Sequence, residues 1–446
     1  MPVHRRRPSP FLRLLLVLAI GLAGCGGGSG AGDGGGEARR VLVDYKHDEF
    51  SASFLAYFPN LVKVHPGGRV DFKQAWTGEP HSVTMGRLVD ELGQPFWELL
   101  DPIFERGDAD YSSIVGADEP QADEFFEQLP FLTDERLGVI QAAAQPCYLD
   151  EGTPDFSDID KPCPQREQPA FNGRQSYYNS GFIPYEGERG NTFTVPLADD
   201  IEPGTYHYYC NWHFVEMSGA IEVVPESEPI PSQTDVNKAA NQQATRYTDA
   251  LSELFDDARA GRRGELPVIG VEPTDQENAE EHGIFAAIGN EFVPSTVEAE
   301  VGEKVTWSFV GGAHSIAFNV PKYFPVFGVN SDGTVTLDDR GFRAVKFPAP
   351  PDQEEFDSAG DEGPPPEEES EPPPEEASSE EEPEEEEEER DPVHIDGGRF
   401  DGSGGLHSTG MFYAQGDTFS LTFTKSGTYL FACLVHPAMV GKVEVR

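Results

Sequence analysis

The chain has 446 residues, with 80 acidic side chains against 32 basic ones and a formal net charge of −48. That balance excludes nucleic acid as a partner, because phosphate binding needs clustered Lys and Arg, and it excludes simple electrostatic attachment to anionic lipid. Counting Gly and leaving out Tyr, about 44% of the residues are apolar, close to the globular share, so two or three domains with buried cores are within reach.

The chain opens with an export signal over residues 1–24. Arg5, Arg6 and Arg7 precede an apolar run, Phe11 to Leu22, interrupted only by Arg13. Arg6-Arg7 also makes a loose twin-arginine pattern. Leu22-Ala23-Gly24-Cys25 resembles the bacterial lipoprotein processing box, which implies lipidation at Cys25 and anchoring to the outer face of the cell membrane. A Gly-rich tether over 25–40 follows. No later stretch approaches the roughly 18 apolar residues of a membrane span.

A first domain is expected over 41–226. Val62, Val64, Val70 and Phe72 point one way at period two around Gly67-Gly68. An insertion over about 87–175 interrupts it. Leu88 to Phe104 and Ala122 to Ala144 carry helix-period apolar positions: Leu88, Leu92, Phe96, Leu99, Leu100 and Ile103 in the first. Cys147 and Cys163 lie in a Pro-rich segment and, in an exported chain, predict a loop disulfide. Residues 227–266 predict a helical linker, with Ala240, Ala244, Tyr247, Leu251, Leu254 and Phe255 on one stripe. A second domain is expected over 267–446, where Val297, Ala299, Val305 and Trp307 alternate around Gly302. A tract over about 352–391 interrupts it. With 22 acidic residues and one basic, that tract cannot bury enough apolar area to order itself.

The two domains are copies. Gly204-Thr205-Tyr206-His207-Tyr208-Tyr209-Cys210-Asn211-Trp212-His213 matches Gly427-Thr428-Tyr429-Leu430-Phe431-Ala432-Cys433-Leu434-Val435-His436. Each is followed by a Met-x-Gly run, at Met217 and Met439. Upstream, Pro59 to Gly67 aligns without gaps to Pro294 to Gly302. Each copy then offers a His before a Ser, at His81-Ser82 and His314-Ser315. The short alternating runs and turn signals predict a mainly β chain of two antiparallel sandwich-like domains.

One Cys, two His and one Met per copy form a soft, mixed donor set. A thiolate and two imidazoles with a weak axial thioether describe a blue-copper electron-transfer site. These residues closely resemble the plastocyanin/azurin family of cupredoxins, over roughly 41–86 with 176–225 and 284–320 with 404–446. The resemblance implies Greek-key β-sandwiches and single-electron transfer through copper. It implies two type 1 copper sites: His81, Cys210, His213 and Met217 in the first copy, and His314, Cys433, His436 and Met439 in the second. The first loop is one residue longer between His and Met.

Copper oxidases and nitrite reductases of this fold need further His ligands. Here Tyr209 and Ala432 precede the two Cys, and no His-x-His occurs, so an enzyme is not expected. The alternative function is copper storage or delivery without a redox circuit. The resemblance also places the His after each Cys nearest the surface. Pro437, Ala438 and Val440 beside His436, and Trp212 and Phe214 beside His213, are then expected to form docking patches. The acidic surface suits a basic cytochrome or a membrane oxidoreductase as redox partner.

Overall fold

A computed structural model describes residues 37–76, 78–107, 144–154, 168–261, 267–271, 287–310, 312–320, 326–349, 392–412 and 415–446. The export signal, Cys25, most of the tether, residues 122–143, Cys163 and the acidic tract lie outside the described residues. Among the described residues no helix is long and apolar enough to cross a membrane.

Period-two burial builds both cores. Val62, Val64, Val70 and Phe72 are buried on Leu61–Val64 and Arg69–Gln74 while their neighbours are part-exposed. Val297, Ala299, Val305 and Trp307 do the same on Thr296–Ala299 and Lys304–Phe309. Branched and aromatic side chains suit a pleated surface, and each one fully buried contributes about 1.5–3 kcal/mol.

The first copy has two sheets around one core. One sheet runs Tyr57–Phe58, Ala38–Val43, Arg69–Gln74, Thr192–Pro196. The other runs Leu61–Val64, Phe214–Val223, Gly204–Cys210, His81–Met85, Tyr177–Ile183, Pro146–Leu149. The second copy keeps that order. Ala287–Val293, Val268–Val271, Lys304–Phe309 and Thr418–Phe423 build one sheet. Thr296–Ala299, Val440–Val445, Gly427–Ala432, Ala317–Phe318, His407–Thr409 and Ala344–Val345 build the other. Even the cis prolyl bonds coincide, at Phe58-Pro59 and Val293-Pro294.

The pairing is mixed, not purely antiparallel as the sequence patterns suggest. Ala38–Val43 runs parallel to Arg69–Gln74, and Leu61–Val64 runs parallel to Phe214–Val223. The second copy has the same parallel pairs. After each cis proline the chain crosses from one sheet to the other, so strands that end up side by side run the same way.

The copies are joined, and their described residues fall in one compact unit. Ala52–Phe54 of the first copy pairs with Ala287–Val293 of the second, with Ser53 opposite Ile288. Gln145 of the first copy donates to the Val335 carbonyl at 2.6 Å and accepts from its N–H at 3.1 Å. Phe327 of the second copy packs edge-on against Trp212, with ring centres 4.1 Å apart, and against Phe182.

Among the described residues the insertion has two helices, Arg87–Leu92 and Gln94–Arg106, separated at Gly93. The break turns the second helix so that Trp97, Leu100, Ile103 and Phe104 are buried, whereas Phe96 and Leu99 of the expected stripe are only part-buried. The linker forms one helix, Gln233–Gly261. Ser232 and Asp235 cap its start reciprocally. Ala240, Ala244, Tyr247, Leu251 and Phe255 are buried at helical spacing. Tyr247 meets Phe54 and Phe58 edge-on, and Phe255 stacks on Phe50. Gln243 exchanges two hydrogen bonds of 3.0 Å with Asn60. The helix is thus part of the first copy's packing and not a bare spacer.

Candidate metal centres

Each copy brings its ligand candidates together in the same way. His81 opens the strand His81–Met85. Cys210 ends the neighbouring strand Gly204–Cys210, and His213 lies in the turn that follows. In the second copy His314 stands just before Ala317–Phe318, and Cys433 just after Gly427–Ala432. His436 occupies the loop before Val440–Val445. Met217 and Met439 are buried in the cores that contain the two Cys.

His81 and His213 set their Nδ1 atoms 3.2 Å apart, and Cys210 Sγ lies 4.0 Å from Nδ1 of His81. The Nδ1 atoms of His314 and His436 are 3.0 Å apart, with Cys433 Sγ at 3.6 Å from Nδ1 of His436. All six side chains are buried. Metal–nitrogen and metal–sulfur bonds of about 2.0 and 2.3 Å at near-tetrahedral angles put such nitrogens about 3.3 Å apart and sulfur about 3.5 Å from each. Both donor sets therefore fit a single first-row ion, and thiolate with imidazole is a set that copper accepts. Burial disfavours both thiolates, yet the neighbouring imidazoles outweigh it and hold both thiols well below their ordinary range.

Ser82 and Ser315 complete the frame. Each donates its backbone N–H to the thiol sulfur, at 3.4 and 3.5 Å. Each hydroxyl also accepts the N–H of the residue after the Cys, Asn211 at 2.8 Å and Leu434 at 3.0 Å. These contacts lock the Cys loop to the upstream His strand. In the sequence both serines stand out only as part of the repeat, and their recurrence after each His is the signal they leave.

The extra residue of the first loop is taken up at Phe214. Its φ is 51°, and the strand register shifts between Tyr209 and Cys210 so that Cys210 faces Phe214. A non-Gly residue in the left-handed region is uncommon and costs about 1–2 kcal/mol.

The environments behind the upstream His differ. His81 Nε2 lies 3.1 Å from Asp44 Oδ2, and Asp44 also accepts the N–H groups of Tyr45 and Phe54. Burial opposes protonation of His81, but hydrogen bonding to Asp44 and Cys210 overrides it and pushes the pKa up to about 9. His314 Nε2 is buried and finds no hydrogen-bond partner among the described residues. Burial therefore prevails, and its pKa is lowered.

The loop His residues are not at the surface. His213 is 5% exposed and His436 1%. The expected docking patches beside them are corrected accordingly. Trp212 is part-buried and packs onto Phe327 of the other copy, Phe214, Pro437 and Ala438 are part-buried, and Val440, at 59%, is exposed. The cause is the packing of the two copies at their metal-bearing ends. Between them lies a residue that the sequence patterns did not single out, Glu79, itself 1% exposed. Its Oε1 lies 3.3 Å from His213 Nε2 and 3.8 Å from His436 Nε2. Burial would raise its pKa, but the two imidazoles hold it well below the usual carboxylate range.

Other sequence candidates fall elsewhere. Cys147, on Pro146–Leu149, is in a disulfide, while Cys163 lies outside the described residues. His207 is held by Asp90 and Asp101, each at 2.9 Å, and stacks on Trp97. It thereby pins the inserted helices to the Cys210 strand.

The model of copper-binding proteins of the plastocyanin/azurin family matches residues 380–446. A reduced, Cu(I) form of amicyanin is 17% identical over 35% of this chain and 73% of its own, with a TM-score of 0.16. Auracyanin from the photosynthetic bacterium Roseiflexus castenholzii is 16% identical over 42% of this chain and 97% of its own, at 0.19. Overlaps of that size are partial, and the fold stands on the sheets and registers above. No curated protein sequence matches the chain. The family match falls on the strands and loop that carry Cys433, His436 and Met439, so residues 380–446 are similar to the copper-binding proteins of the plastocyanin/azurin family.

Proposed function

We propose that the chain is an exported, lipid-anchored electron-transfer protein with two mononuclear type 1 copper sites and no catalytic centre of its own. One observation carries this reading: the same buried Cys and pair of inward-facing Nδ1 atoms occur twice, at matching positions of two matching cores. Copper held by a thiolate and two imidazoles supplies a one-electron couple. The chain's own part is to keep the donors still and dry. His81 and Cys210 sit on paired strands, Ser82 and Ser315 hold the Cys loops, and Met217 and Met439 are buried in the cores that contain the two Cys. Rigid placement means little rearrangement as charge changes.

Anchoring through Cys25 would keep the protein at the outer face of the membrane, with the Gly-rich tether giving it reach. The acidic chain would meet a basic cytochrome or a membrane oxidoreductase by electrostatic steering, slowed by added salt.

Copper counted per chain tests the reading. Two equivalents are expected, falling to one in Cys210→Ser and in Cys433→Ser. The intense visible thiolate-to-copper absorption should bleach reversibly with reductant. Copper bound without that absorption would favour storage or delivery. A count of one, unchanged by Cys210→Ser, would leave the first site without a role. Cys25→Ala should release the protein from membranes.

A further inference from the structure

Glu79 is a carboxylate with almost no solvent contact, and its Oε2 has no hydrogen-bond partner among the described residues. Burying such a group is costly unless its charge is matched. The groups that match it are two imidazole edges, one from each copy, at 3.3 and 3.8 Å from the same oxygen. In both rings Nδ1 faces the thiol and the other His. A neutral imidazole that uses one nitrogen as a metal donor carries its proton on the other. Both Nε2 edges then face Glu79 Oε1 as charge contacts, and His213 Nε2 has no hydrogen-bond partner among the described residues. The loop is held in place, since Gln74 donates to the Glu79 carbonyl at 3.0 Å. The second copy has no counterpart. Gly312 stands where Glu79 aligns, and a Cβ there would lie 2.8 Å from His314 Nε2.

We propose that Glu79 is a shared positioning residue that couples the two metal centres, orienting His213 and His436 together and bridging them for internal electron exchange. The inference rests on the two-site reading above. In the exchange one electron passes from one centre to the other, one being reduced as the other is oxidised, with no bond made or broken and no proton released. A chain built this way passes an electron between its own halves through protein, not through solvent, and one negative charge sets the potential of both sites.

Glu79→Gln in the full chain tests this. Gln keeps the shape and one acceptor oxygen but removes the charge. A carboxylate beside a ligand His favours the oxidised metal, so the potentials of both sites should rise together. In the zinc-loaded protein, which has no redox chemistry, the Nε2–H protons of His213 and His436 should both be visible by NMR. Both should exchange with solvent about 10-fold faster in Glu79→Gln, as the carboxylate charge that faces them is replaced by a neutral amide. Glu79→Leu, which removes the acceptor, should slow internal exchange after pulse reduction, with recovery in Glu79→Gln. A shift confined to the first site, or none, would overturn the bridge and leave Glu79 a structural residue of one loop. A copper count of one per chain would instead overturn the two-site reading beneath it.

Discussion

The two copies hold the same Cys, Ser and His atoms in the same arrangement and differ in what stands behind them. In the first, His81 is backed by Asp44, and Glu79 projects from the adjoining loop toward His213. In the second, His314 Nε2 has no hydrogen-bond partner among the described residues, and Gly312 stands beside it. The ligand positions are the same in the two copies, whereas the residues one layer out differ. That layer sets charge and tautomer at a metal ligand. Two sites with one set of donors can therefore differ in potential, the first favouring the oxidised state more strongly.

The contrast can be broken hardest at Gly312. Its φ of +72° disfavours any side chain, and a Cβ would press on His314 Nε2 at 2.8 Å and on Ile288 at 2.9 Å. Gly312→Ala should cost about 2–4 kcal/mol in denaturant unfolding of the metal-free chain. It should also empty the second site while the first still binds metal. Equal metal content at both sites would show that the loop yields without moving His314.

Next in size is Asp44→Asn. It removes the charge behind His81 while keeping a partner of similar shape. Affinity at the first site should fall by about 10–100-fold and its potential should rise, with the second site unmoved. Metal titration of the Cys433→Ser chain reads the first site alone. An unchanged affinity there would mean that Asp44 serves the Tyr45 and Phe54 N–H groups and not the metal.

The smallest effect concerns His207, for which the second copy has Leu430. Burial opposes its protonation, and the carboxylates of Asp101 and Asp90 outweigh that, so its pKa is raised from 6.5. A raised folded pKa means that the stabilisation is complete below about pH 6.5 and is lost as pH climbs through the folded value. His207→Gln should destabilise the metal-free chain by about 1–2 kcal/mol at acid pH, and the gap to wild type should narrow at alkaline pH. A gap independent of pH would show the contact to be packing on Trp97 alone.

Much of this was legible in the linear order of residues. The duplication, the alternation at Val62, Val64, Val70 and Phe72, and the stripe of the helix Gln233–Gly261 are local periodicities. Local backbone geometry turns a periodicity into a buried face without needing to know the partner. The clustering of His81 with Cys210 and His213 followed once the pattern had been seen twice. The break at Gly93 was less visible, because a single Gly within a helical pattern is often tolerated. Asp44 and Glu79 were not legible at all. Neither lies in a motif, and each matters only through an atom that approaches from a distant part of the chain.

The sequence by itself determined the two β cores, their ligand-bearing loops and the chemistry those loops can hold, because donor type and short spacing are properties of contiguous residues. Only the tertiary structure decided that the two centres face each other. That arrangement depends on Trp212 against Phe327, Gln145 against Val335 and Ala52–Phe54 beside Ala287–Val293. Contacts between copies leave no period in either one, since a surface that packs on a neighbour obeys the neighbour's shape and not its own repeat. The same packing buried His213 and His436 and placed one carboxylate between them.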